Sequence, residues 1–217
     1  MLRASILLLA CSAAASEQHP FPHYPNSFSY DLTIFKDHST TPFISLSYAW
    51  DQSGQRSKYA VNNSVAHTYE LQLRLCNDGH NFDIKGSAGG DPSKFVCQDL
   101  GGFACPVTPY WIYPKPGAAV WNGTDTINGL KCDRFDITNP MGRQTFWGTP
   151  TTPCRAITNN GVYEQQDYSN WVPAAPPAAV FAPPAWLDTA KCKPLSDAAT
   201  SVTTQVRRHG VHQFTSI

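Results

Sequence analysis

Seven cysteines and seven histidines are the side chains of this chain best suited to nucleophilic, redox or metal chemistry. Cys11 falls in the opening "MLRASILLLACSAAAS". Cys76, Cys97, Cys105, Cys132, Cys154 and Cys192 remain, and none forms the C-x2-4-C pair that zinc sites favour. An even set of this kind reads as up to three disulfides, with the pairing left open. None of the six has the surroundings of a papain-type nucleophile. His19, His23, His38, His67, His80, His209 and His212 are scattered, and the i, i+3 pair in "HGVH" lies in a polar tail. G-x-S-x-G and H-E-x-x-H are absent. The acids of "DQSGQ", "NDGHN" and "GTDTING" sit among ordinary turn-makers rather than in a calcium loop. No catalytic residue, metal or cofactor is therefore expected, and the chain is not read as an enzyme.

The leader places the chain. One positive charge at Arg3, an apolar run from Ile6 to Ala10 and small residues from Ser12 to Ser16 describe a secretory signal over 1–16. That apolar run is far shorter than the roughly 20 residues a bilayer span needs. "LLAC" also resembles a bacterial lipoprotein box, in which Cys11 would be acylated. No later segment is apolar enough to cross a membrane, so a secreted, extracellular protein is expected. The sequons "NNS" at Asn62 and "NGT" at Asn122 fit that route as glycosylation sites. Lys and Arg number 16 against 16 Asp and Glu, with no basic stripe for nucleic acid.

The elements that must hold these residues are strands. "SFSYDLTIFK" sets Phe28, Tyr30, Leu32 and Ile34 on one side. "ISLSYAWDQSGQRSKYAV" sets Ile44, Leu46, Tyr48 and Trp50 on alternate positions, turns at "DQSG", and returns with Tyr59 and Val61 against polar Arg56 and Lys58. "HTYELQLRLC" places Tyr69, Leu71, Leu73 and Leu75 together, and Phe82 and Ile84 follow a turn at "NDGHN". "YWIYP" is a further strand candidate between Pro109 and Pro114. Two more hairpins follow, around Asn139–Gly142 and "NNG". "WVPAAPPAAVFAPPAWLD" is too rich in proline for a ladder and is expected to be an irregular covering strap. No helical period lasts three turns. One all-β domain over 25–192 results, with a loose tail at 193–217.

The early hairpin "DQSGQRSKY", the strand pair "YELQLRLCNDGHNFDI" and the closing "VFAPPAWLDTAKC" resemble the ependymin-like and LolA-like proteins. They also resemble the domain that precedes some protist papain-like cysteine proteases. The resemblance implies a single, strongly curved antiparallel sheet or half-barrel around an apolar hollow that takes a lipid or fatty-acid-like molecule. On that view Ile44, Leu46, Tyr48, Trp50, Tyr69, Leu71, Leu73 and Phe82 line the ligand, and packed core is the alternative use of the same stripe. The expected partner is an apolar small molecule or lipid, with a homodimer allowed for. Two further functions compete with it. One is an accessory domain of a secreted papain-like protease system. The other is a carbohydrate-binding module using Trp111, Trp147 or Trp171 as stacking platforms.

Overall fold

The computed structural model describes residues 19–195, apart from 104, 112, 140, 141 and 160. The leader, Cys11, His209 and His212 lie outside the described residues. Twelve strands form one sheet: β1 (Ser27–Lys36), β2 (Ile44–Asp51), β3 (Arg56–Asn63), β4 (Thr68–Leu75), β5 (His80–Ser87), β6 (Val96–Asp99), β7 (Ala119–Ile127), β8 (Leu130–Asn139), β9 (Gly142–Gly148), β10 (Pro153–Asn159), β11 (Tyr163–Val172) and β12 (Lys193–Pro194). Their spatial order is β12-β6-β5-β4-β3-β2-β1-β11-β10-β9-β8-β7. β12 joins β6 in parallel, and every other pairing is antiparallel. Two meanders, β1–β6 and β7–β11, are thus zipped along one seam, with Leu32 opposite Tyr168 and Lys36 opposite Glu164. Residues 193–195, expected to begin the tail, continue the sheet instead, and Leu195 N donates to Asp99 O.

The expected half-barrel is corrected. The sheet is open, with β12 and β7 as its edges, and it is not strongly curled. The physical reason lies in where the oily side chains point. Directly opposed residues share a face of a sheet. Leu46 opposes Val61, which opposes Glu70, while Tyr48 opposes Tyr59, which opposes Gln72. Leu71 and Leu73 instead oppose Ala60 and Lys58 and so point the other way. The oily side changes face between β3 and β4. A sheet with apolar patches on both faces gains nothing by curling around one of them, and each patch needs its own cover.

The front cover is the irregular segment around residues 105–113, with the chain before β1. Val107, Tyr110 and Trp111 pack with Phe28, Tyr30, Leu32, Ile34, Leu46 and Trp50, joined by Tyr24, Phe135, Ile137, Phe146 and Tyr168. Tyr110, Trp111, Tyr113 and Pro114 of "YWIYP" are therefore part of a lid rather than a strand, and Ile112 lies outside the described residues. Trp50 Nε1 donates to Thr108 O at 3.1 Å, and the Tyr30 and Tyr110 hydroxyls share a short hydrogen bond. The back cover is the proline-rich strap, which lays Val180, Phe181 and Leu187 on Leu71, Leu73, Phe82 and Ile84. A smaller cluster of Ile127, Cys132, Trp147 and Cys154 lies in the second meander.

Three disulfides fasten this arrangement: Cys76–Cys105, Cys97–Cys192 and Cys132–Cys154. The first ties the front lid and the second ties the end of the strap. Cys97–Cys192 closes 95 residues, for which loop-closure entropy alone gives about 4–5 kcal/mol. Three such bridges mark an oxidising compartment.

Candidate functional site: a cleft on the back of the central strands

Alternation forces Ser29 and Asp31 of β1, Ser47 and Ala49 of β2, and Lys58 and Ala60 of β3 to the back while their neighbours fill the front core. Most of these side chains are small. Beside them the strap stands on its larger anchors, so the surface is low over β2 and high at Val180. The result is a cleft of about 270 Å3 lined by these six residues, Asn170 and Val180, with Tyr30 and Tyr48 closing its floor. Ala49 is buried and Ala60 and Val180 are half-buried, which makes the middle of the cleft apolar.

Its polar groups stand at the two ends. Asp31 accepts from Ser47 Oγ through Oδ1 at 2.6 Å and from Asn170 Nδ2 through Oδ2 at 2.7 Å. Asn170 reaches it from a bulge in β11, where its φ is +50°. At the other end Lys58 Nζ donates to Val180 O at 3.1 Å. A second cleft of about 360 Å3, lined among others by Gln55, Arg56, Asp78, Phe181 and Pro183, lies on the far side of the same strap turn, Ala178–Phe181.

The turn "DQSGQR" holds both covers. Asp51 is almost fully buried and accepts from Gly54 N, Ser53 Oγ, Arg56 Nε and Ser27 Oγ at 2.8–3.2 Å. Burial alone would raise the Asp51 carboxyl; these hydrogen bonds outweigh it and hold the group below the ordinary carboxylate range. Gln55 grips the front lid, accepting from Val107 N and donating to Val107 O. Arg56, the next residue, lies 4.7 Å over the Phe181 ring of the back strap.

The eight residues expected to line a ligand do not form one wall. Ile44, Leu46, Tyr48 and Trp50 belong to the front core, and Tyr69, Leu71, Leu73 and Phe82 belong to the back core under the strap. Of the eight, Tyr48 alone touches the cleft. Trp111 and Trp147 are buried and Trp171 is half-buried against Phe28, so none is presented as a flat open platform. The sequence signal for the cleft was the run of small residues on the wet side of β1 to β3, which reads as ordinary solvent-facing polarity. Both sequon asparagines, Asn62 and Asn122, are exposed.

No family model matches the chain, and no curated protein is similar to it.

Proposed function

We propose that this is an exported, non-catalytic binding protein that holds a small molecule with an apolar body in the back-face cleft. The observation that carries the reading is the apolar trough left by Ala49 and Ala60 beside Val180, in a chain whose catalytic motifs are lacking. The disulfides support export. At about 270 Å3 the cleft falls just below the range of drug-sized pockets. The occupant is therefore shorter than a membrane lipid, and a medium-length fatty-acid-like chain suits it. Burying about eight methylenes at ~0.8 kcal/mol each gives ~6 kcal/mol before ordering costs, enough for weak but useful binding. The ependymin-like relationship belongs to the same proposal, supported by the long antiparallel sheet and the closing strap, although the ligand sits outside the bowl which that resemblance implies.

The test is extraction of the purified protein with organic solvent, mass spectrometry of the extract, and titration with a fluorescent fatty-acid probe. Wild type should bind the probe, and Ala60→Trp, which fills the trough, should lose it while melting normally. An unbound probe with wild type, or equal binding by Ala60→Trp, would overturn the proposal.

A further inference from the structure

We infer that the ligand of the cleft is a small amphipathic monoanion whose acid group pairs with Lys58; this rests on the binding reading above. Lys58 lies opposite Ala49 in the ladder, half-buried, with its ammonium at the wall where the apolar trough ends. An ammonium carries three donors. Lys58 commits one, to the neutral carbonyl of Val180. Among the described residues no carboxylate pairs with it, in contrast to Arg56 with Asp51, Lys85 with Asp83, Arg155 with Asp167 and Lys191 with Asp188. A cation held at an apolar trough without an acid of its own is complementary to an anion that brings its own apolar body.

The acid of the cleft does not compete for that role. Both Asp31 oxygens are already engaged, by Ser47 and by Asn170. Asp31 also stands on β1, two strands from β3, which sets the two backbones roughly 10 Å apart across the sheet, and its carboxylate is not among the groups paired with Lys58. The ligand that satisfies the wall is thus a monoanion, with its head at Lys58 and its chain over Ala49 and Ala60.

Isothermal titration of the full chain with octanoate, methyl octanoate and acetate tests this, using wild type, Lys58→Met and Lys58→Arg. Met keeps the apolar stem and removes the charge; Arg keeps charge and donors. Wild type should bind octanoate at least about tenfold more tightly than the ester, and acetate without detectable heat. Lys58→Met should abolish the preference and bring octanoate down to the level of the ester, and Lys58→Arg should retain the preference. Equal binding of octanoate and ester by wild type would overturn the anion inference while leaving the cleft as a binding site. So would a Lys58→Met protein that still prefers octanoate. Loss of both ligands together in Lys58→Met would show Lys58 to be a latch for the strap and nothing more. If wild type binds neither octanoate nor ester, the binding reading fails, and the inference with it.

Discussion

Phe181 is the anchor on which the back of the molecule depends, and Phe181→Ala measures how much. Its ring is 2% exposed and packs in the cluster of Leu71, Leu73, Phe82 and Ile84, with the Arg56 guanidinium over its other side. Truncating a fully buried phenylalanine in a rigid core costs about 3–5 kcal/mol, the lost transfer energy plus the cavity left behind. Here the cavity is roofed by an irregular strap, which settles more easily than a strand, so the lower end applies. The strap cannot leave altogether, because Cys97–Cys192 tethers its end and Lys58 holds Val180 O. The expected loss is therefore ~3 kcal/mol, or roughly two orders of magnitude in the folding equilibrium. Equilibrium urea unfolding should show it as a midpoint lowered by roughly 1–2 M at unchanged slope. Hydrogen exchange should quicken at Val180 and Ala182, whose amides donate within the strap turn. A loss below about 1 kcal/mol with unchanged exchange would refute the reasoning, since it would mean the strap lies on the back face without sealing it.

Other perturbations follow from particular contacts. Asp51 is held below its ordinary pKa of 3.8, so its contribution is complete above that value and is lost as pH falls through the depressed folded pKa; acid titration should show a stability advantage of wild type over Asp51→Asn that is constant above about pH 4 and shrinks below it. Burial, first among the causes, raises the hydroxyls of Tyr24, Tyr30, Tyr48, Tyr110 and Tyr168 above the ordinary 10.0. Above pH 10 the unfolded chain therefore sheds protons that the fold retains at these five side chains, and stability should fall steeply there, with their share of the tyrosinate absorbance appearing only as the protein unfolds. A methyl group at Gly86 would land in the Phe95 ring, which packs against Tyr69 and Trp186, so Gly86→Ala should cost ~1–3 kcal/mol in thermal or urea unfolding. In a eukaryotic secretory host the exposed Asn62 and Asn122 should both accept a glycan; peptide mapping after deglycosylation reads the occupancy of each.

Much of the architecture is written in single strands. Phe28, Tyr30, Leu32 and Ile34 share a face as their spacing demands, and the turn at "DQSG" pairs Asp51 with Arg56. The phase between strands is a different quantity. Alternation says that Leu71 and Leu73 lie on one side of β4, but the connection between Asn63 and Thr68 decides which side of the sheet that is. That is why eight residues that look like one oily wall divide into two. β7 is not announced by alternation, because it is an edge strand whose Val120 and Trp121 are exposed and whose ladder is interrupted near Gly123. The cysteines declared bridges without declaring partners, since pairing depends on where the front lid and the strap end in space. The cleft was illegible for a simpler reason. It is built from the lack of bulk at Ser29, Ser47, Ala49 and Ala60, and small residues carry no signature of what they make room for.

The seam between β1 and β11 bears on how the chain is made. β1 finds β2 one hairpin later, but its other margin waits for Tyr163–Val172, after nearly the whole domain has been synthesised. During that interval a ten-residue strand offers a row of unsatisfied amides and carbonyls to any extended neighbour. This is the margin across which two nascent copies would exchange halves, the second meander of one completing the first meander of the other.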